Sequence, residues 1–143
     1  MIIDFHTHTF PEKIAAGAME KLRSSSGTVS FTDGTDKSLL DSMKRAGIDF
    51  SVALPVATNP AKVAHINEIA SGLDGKDGLI RFGCMHPDVP DIEGEVAHIA
   101  ALGLKGIKIH PVYQGVDIDD DKFIRILYAC GEAGLVEIGR AHV

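Results

Sequence analysis

The stretch that decides the fold is residues 79–111, LIRFGCMHPDVPDIEGEVAHIAALGLKGIKIHP. Two short runs rich in Ile, Leu and Phe, Leu79–Met85 and Leu104–Ile109, flank a segment whose apolar residues recur at helical spacing and which ends at Gly103. Short apolar runs bounded by Gly or Pro are typical of buried parallel strands, and the helical spacing predicts a crossover between them. These residues therefore predict a strand–helix–strand unit with parallel strands.

The same alternation extends over the rest of the chain. Three further apolar runs predict strands at Ile2–Phe5, Ile48–Leu54 and Leu135–Ile138. Helices are predicted from Pro11 to about Leu22, from Thr35 or Asp36 to Lys44, from Asn59 and Pro60 to Gly72, from Asp91 to Gly103, and from about Phe123 to Gly134. The predicted strands start near residues 48, 79, 104 and 135, which is the spacing of βα units. The sequence thus predicts one α/β domain over residues 1–143, with about five parallel strands in an open sheet or in part of a barrel.

The composition is that of an ordinary globular chain. Hydrophobic residues make up 45% of the 143 residues and charged residues 24%, and no apolar run is long enough to span a bilayer. The N-terminus has no secretory signal, and two cysteines are too few for a disulfide framework, so we expect a cytoplasmic protein. A net charge of −6 argues against a nucleic-acid partner. We therefore expect neither nucleic acid nor membrane among the partners.

The chain has seven histidines, and five of them follow predicted strands. The five are His6, His8, His86, His110 and His142, whereas the other two, His65 and His98, lie within predicted helices. In parallel α/β folds, binding and catalytic sites are built where the strands end. Five histidines at that edge therefore favour a functional site over unrelated structural roles.

The sharpest motif is Asp4-Phe5-His6-Thr7-His8 at the end of the first predicted strand. Residues two apart in a strand point to the same side, so the imidazoles of His6 and His8 can bind one metal ion. Asp4 shares their side and is a candidate for orienting an imidazole through its N–H. Zinc is the metal that we expect, although iron, nickel and manganese also accept such ligands.

Two further strand ends carry chemically useful side chains. Lys108 and His110 share a face of the fourth predicted strand, which makes them candidates for anion binding, acid–base catalysis or metal ligation. His86 repeats the pattern of a strand followed by His-Pro and is a candidate for lining the substrate pocket.

Several of these stretches together resemble the amidohydrolase superfamily. The stretches are DFHTH with the following Phe10-Pro11, then FGCMHPD (82–88) and GLKGIKIHP (103–111). The most similar branch is the amidohydrolase-2 group, which includes aminocarboxymuconate-semialdehyde-decarboxylase-like proteins. The resemblance implies a metal-dependent TIM barrel that acts on small organic acids, amides or lactones through a metal-activated water. It also implies that His6 and His8 are metal ligands and that a small molecule is the substrate.

The last segment, EIGRAHV (137–143), departs from the family pattern. The resemblance places a metal-binding His at the end of the fifth strand, where Arg140 stands here, and His142 takes that role only after a shift of two residues. Five predicted strands against the eight of a barrel predict that the chain corresponds to the N-terminal part of a family member.

Three alternatives to a hydrolase remain open. The first is a metal-dependent decarboxylase of the same family. The second is another metal enzyme whose first strand bears His-X-His, such as a histidinol-phosphatase-type phosphoesterase or a TatD-like nuclease, although the HTHTFP and GIKIHP stretches favour the amidohydrolase-2 group. The third is a catalytically incomplete half-barrel. Because a half-barrel exposes strand edges and apolar surface, we also expect self-association into a homo-oligomer.

Overall fold

The computed structural model describes residues 1–27 and 29–139, and the chain divides into two compact units. The first unit comprises residues 1–53 and 76–80. The second comprises residues 54–75 and the described residues from 81 onward. This division does not test the expectation of a single domain, which stays a prediction.

Short strands alternate with helices along the described chain. The strands are β1 (Ile3–Thr7), β2 (Phe50–Ala53), β3 (Leu79–Arg81), β4 (Gly83–Cys84), β5 (Gly106–Lys108) and β6 (Val136–Ile138). The helices are α1 (Glu12–Ser26), α2 (Asp36–Ala46), α3 (Val63–Leu73, preceded by a 3-10 turn at Pro60–Lys62), α4 (Ile92–Ala101), α5 (Pro111–Gln114) and α6 (Asp121–Glu132). Within residues 1–27 and 29–139, none of these helices is long and apolar enough to cross a membrane.

The strands form two sheets of three strands each, in the orders β1-β2-β3 and β4-β5-β6. Strand β1 runs parallel to β2, with Ile3 opposite Phe50, and its register shifts before Thr7. Strand β5 runs parallel to both of its neighbours, with Lys108 opposite Cys84 on one side. The predicted α/β fold with parallel strands and flanking helices is therefore confirmed.

The prediction of one strand over Leu79–Met85 is wrong, because β3 and β4 belong to different sheets. The chain leaves the ladder at Phe82, which is buried and packs its ring against the backbone of Gly106 in β5. A Cβ atom at Gly106 would overlap that ring, so the packing requires glycine there. An apolar run alone cannot reveal such a break, since Phe82 is buried like Leu79 before it and Gly83 and Cys84 after it.

The amide of Asn67 takes the place of a neighbouring strand at β4. Its Oδ1 accepts the backbone N–H of Cys84 at 2.8 Å, and its Nδ2 donates to the Cys84 carbonyl at 3.2 Å and to Glu95 Oε1 at 2.8 Å. The Asn67 side chain is fully buried in α3. Since buried backbone polar groups need partners, this one side chain provides the bonds that a second strand would otherwise make.

The core of the second unit lies between its strands and the helices α3, α4 and α6. Gly83 allows the close approach, because a Cβ there would stand 3.0 Å from Asn67 Oδ1 and 3.1 Å from Ile99. Side chains from both layers are completely removed from solvent, including Ile99, Ile107, Ile109, Phe123 and Ile126. Burial of each such side chain contributes about 1.5–3 kcal/mol. This packing between strands and helices holds β4 and β5 in place. It thereby determines the positions of the residues that follow these two strands.

The helices confirm most of the predicted starts, and α2 ends at Ala46, two residues beyond the predicted Lys44. Thr35 caps α2 by accepting the Ser38 N–H, and Asp91 caps α4 by accepting the Gly94 N–H. Helix α1 continues to Ser26, beyond the predicted end near Leu22. Helix α5 was not predicted, since a single turn of four residues carries too little apolar periodicity to be recognised.

We predict that Asn67→Ala lowers the free energy of unfolding by about 2–4 kcal/mol, because it leaves two buried backbone groups of Cys84 without partners. Urea denaturation followed by circular dichroism measures the loss. The control is Glu68→Ala, an exposed position in the same helix, for which we expect a change below about 0.5 kcal/mol. Equal losses for both variants would contradict the role assigned to the amide.

Candidate functional site

The imidazoles of His6 and His8 lie together at the end of β1. Thr7, between them, is buried and donates its hydroxyl to the Val52 carbonyl of β2 at 2.8 Å, whereas both histidines are exposed. The centroids of the two rings are 5.1 Å apart and the rings are inclined at 68°. The expected convergence of these two side chains is therefore present in the structure.

This separation fits two ligands of one metal ion. Imidazole nitrogens about 2.1 Å from an ion, at a roughly tetrahedral angle, place their ring centroids about 5 Å apart. Two imidazoles supply two coordination positions, while divalent ions in proteins take about four to eight. Within the part of the chain that the structure describes, no group of three or more His, Cys, Asp or Glu side chains is placed to hold a metal.

Asp4 is held close to this pair through the backbone. Its Oδ1 accepts the backbone N–H of His6 at 3.1 Å. That bond ties the carboxylate to the segment that carries both histidines. The expected contact from Asp4 to an imidazole N–H stays a prediction.

His86 follows β4 and is 5% exposed. Its Nδ1 accepts the backbone N–H of Asp88 at 3.1 Å. Burial lowers the pKa of His86, the nearby Asp88 carboxylate raises it, and Lys122, which donates to Asp88 at 2.6 Å, lowers it. The net shift is downward, so the neutral imidazole is the favoured form.

His110 follows β5 and is also 5% exposed. Its Nδ1 accepts the backbone N–H of Tyr113 at 3.3 Å, which caps α5. The phenol ring of Tyr113 stacks on the imidazole with centroids 4.1 Å apart and an angle of 7° between the planes. Both His-Pro strand ends thus hold their imidazoles through the same nitrogen.

Lys108 is completely buried in β5, two residues before His110. The pKa of Glu137 in the adjacent strand β6 shows the effect of this lysine: burial raises that pKa, and the charge of Lys108 opposes the rise. A lysine at such a position is rare in a protein core. Lys108 is therefore a core residue and not a surface residue, and its role at a site stays a prediction.

Gln114 is the residue of this region that sequence reasoning missed. Its Oε1 accepts the backbone N–H of His110 at 2.8 Å, and its Nε2 donates to the carbonyls of Ala57 and Met85 at 2.8 and 2.7 Å. One buried amide therefore joins the segments that follow β2, β4 and β5. Its only signal was a polar residue between Pro111 and Gly115, which indicates a turn but not its partners.

The remaining sequence candidates are placed as follows. His6, His8 and Asp4 belong to the first unit, and His86, Lys108 and His110 belong to the second. Arg140 and His142 lie outside the described residues.

The free cysteines are buried, and burial raises the pKa of Cys84 to about 12 and that of Cys130 to about 11, so neither is a nucleophile near neutral pH.

No protein-family model and no curated protein matches this chain. Solved structures do match it. The IDCase of Metarhizium anisopliae, in apo form, is similar over 97% of this chain with a TM-score of 0.71 and 19% identity. This chain covers 50% of that protein.

The 5-carboxyvanillate decarboxylase of Novosphingobium aromaticivorans is similar in two structures, with TM-scores of 0.65 and 0.66, at 18% identity over 96% of this chain. Both hold manganese and a hydroxy-methoxy-nitrobenzoic acid, and one is a point mutant. This chain spans about half the length of each of these proteins, 49% in both cases. It has the fold of half a TIM-barrel-like enzyme.

We predict that the free energy of unfolding falls as the pH drops below about 6.5. The pKa of His86 is lower in the folded state than in the unfolded chain, so as the pH falls the unfolded chain takes up the proton first. The contribution of neutral His86 to stability is therefore complete above about pH 6.5 and is lost as the pH falls toward the pKa of the folded state. His86→Asn, which keeps an acceptor at the Nδ1 position, makes the loss smaller. Urea denaturation at pH 5 to 8 measures the free energy of unfolding of the wild type and of His86→Asn. The same loss on acidification in the two proteins would contradict the assignment of that loss to His86.

Proposed function

We propose that this chain is part of a metal-dependent decarboxylase that acts on a small organic acid. The observation that carries the proposal is the pair of imidazoles of His6 and His8, 5.1 Å apart at the end of β1. The chain shares its fold with a decarboxylase whose structures hold manganese, and the DFHTH motif resembles that of the amidohydrolase-2 group. We infer that this group is the family of the chain and that a single domain is formed.

Each candidate side chain then has a role. His6 and His8 hold a divalent cation, with His142 as a further candidate ligand, and Asp4 orients this pair. When bound, the cation acts as a Lewis acid that stabilises negative charge developing on the substrate. His86, His110 and the buried Lys108 bind the acid, and Lys108 and His110 are the candidates for moving a proton.

Decarboxylation replaces hydrolysis as the favoured reaction because of the neighbours. From the residues alone, hydrolysis of an amide or lactone and loss of CO2 from an acid use the same two histidines. The manganese-bound neighbour is a decarboxylase, and the molecule bound in it is a benzoic acid. Metal binding by the chain should therefore be tested with manganese as well as with zinc.

We predict that the purified chain binds Mn²⁺ or Zn²⁺ and that His6→Ala and His8→Ala each lower the affinity at least about tenfold, which corresponds to about 1.4 kcal/mol. Equilibrium dialysis with elemental analysis measures the bound metal. His65→Ala, an exposed helix position, is the matched control and should bind as the wild type does. Equal binding by all four proteins would show that the metal is held elsewhere.

We also predict metal-dependent release of CO2 from a hydroxybenzoic acid. The assay compares a panel of hydroxybenzoic acids with aryl amides, lactones and p-nitrophenyl phosphate, in the presence of Mn²⁺ or of a chelator. CO2 release that the chelator abolishes supports the proposal. Turnover of only the amides and lactones would assign a hydrolase, and turnover of only the phosphate would assign a phosphoesterase.

A further inference from the structure

The segment that follows β4 turns at residues 86–89, His-Pro-Asp-Val. The backbone N–H of Val89 donates to the His86 carbonyl at 3.1 Å, and the backbone N–H of Asp88 donates to Nδ1 of the His86 ring, also at 3.1 Å. Proline in the second position favours such a turn, because its φ is already close to the value that the turn needs. The imidazole is therefore held by the backbone through a nitrogen that carries no proton.

Protonation of that nitrogen would exchange one contact for another. A protonated Nδ1 is a donor, so it could no longer accept the backbone N–H of Asp88. The carboxylate of the same residue is nearby, with Oδ2 at 3.9 Å from Nδ1, a separation that is too long for a hydrogen bond. The ring is thus either neutral and bound to the Asp88 backbone, or charged and attracted to the Asp88 carboxylate.

Lys122 holds the other oxygen of this carboxylate. Its Nζ donates to Asp88 Oδ1 at 2.6 Å, although the two residues are 34 positions apart in the chain. Lys122 lies in the first turn of α6, where its backbone N–H donates to the side chain of the capping residue Asp120 at 2.9 Å. The start of the helix therefore determines the position from which the ammonium reaches Asp88.

Two charged groups of the described chain act on the His86 imidazole, Asp88 in the same turn and Lys122 in α6. Burial is the main cause that lowers the pKa of His86, the Asp88 carboxylate raises it, and Lys122 opposes the effect of Asp88. The hydrogen bond between Asp88 and Lys122 lowers the pKa of the carboxyl group and raises that of the ammonium. Both partners of the ion pair are therefore charged near neutral pH, while the buried ring beside them is neutral.

We propose that Lys122 is a positioning residue for His86: by holding the Asp88 carboxylate in an ion pair, its ammonium keeps the imidazole neutral and bound to the Asp88 backbone N–H. Both side chains of the pair are half-exposed, and exposed ion pairs add little to the stability of a fold. We therefore expect its loss to change the charge of the ring and not the fold. The inference rests on the proposed function for the role of His86, and it adds a residue outside the strand ends that controls that side chain.

The first experiment follows the pKa of His86 by NMR titration of the ring Cε1–H signal in the metal-free 143-residue chain, with the signal assigned by its loss in His86→Asn. Lys122→Met keeps a long side chain and removes the ammonium. We expect a higher pKa of His86 in this variant, such that the ratio of imidazolium to neutral imidazole at a given pH rises at least about twofold, as for a unit charge removed a few ångströms away. Circular dichroism checks that the fold is unchanged.

Two further variants test whether the charge of Lys122 is responsible. Lys122→Arg restores a cation and should return the His86 titration to that of the wild type. Lys37→Met is the matched control, because it also breaks an exposed ion pair, with Asp41 at 3.2 Å, and makes the same change in net charge. It should leave the His86 titration as it is. A pKa of His86 that is unchanged or lower in Lys122→Met would overturn the inference.

The second experiment distinguishes action through Asp88 from a direct effect of the lysine charge. Asp88→Asn keeps the backbone N–H that donates to Nδ1 and removes the carboxylate, so we expect a lower pKa of His86. In that background, Lys122→Met should change the His86 titration less than it does in the wild type, since no carboxylate remains for the ammonium to hold. An equal change in both backgrounds would show that Lys122 does not act through Asp88 and would also overturn the inference.

Neither titration requires metal, substrate or turnover, so failure of this inference is distinguishable from failure of the proposed function. A chain with the expected titrations but without CO2 release would refute only the decarboxylase. A chain that releases CO2 but whose His86 titration is insensitive to Lys122→Met would refute only the role of Lys122.

Discussion

The arrangement of the second unit depends on the hydrogen bonds of β4 being satisfied on both edges. Strand β4 has only two residues, and on one edge it pairs with β5. On the other edge, the Asn67 amide bonds both backbone groups of Cys84. Without that amide, a fully buried N–H and C=O would have no partner, at a cost of about 1–3 kcal/mol for each group, which is a large fraction of the net stability of a small domain.

The consequence reaches the candidate site through the chain itself. His86 is two residues after Cys84, so the direction in which β4 leaves the sheet determines where its imidazole stands. Gln114 makes an equivalent constraint from the other side by bonding the Met85 carbonyl. Two buried side-chain amides, one in α3 and one in α5, therefore position a strand end that has little regular structure of its own.

The sequence predicted those features that depend on local pattern. Alternating apolar runs and helical stripes predicted the parallel α/β fold, and spacing within DFHTH predicted that His6 and His8 lie together. The break at Phe82 and the hydrogen bonds of Gln114 were not predicted, because both depend on contacts between residues far apart in the chain. Phe82 contacts Gly106, and Gln114 bonds to Ala57. The site assignments for Lys108, His86 and His110 rest on strand-end position, which states where a side chain begins but not what it binds.

The contact between Phe82 and Gly106 has a consequence for related sequences. The aromatic ring occupies the volume where a side chain at 106 would start, so the two positions share one space. A relative with alanine or a larger residue at 106 should therefore carry a small residue at 82, and the two sites should covary. Such covariation would mark sequences in which the strand divides at this place, even where the histidine motifs differ.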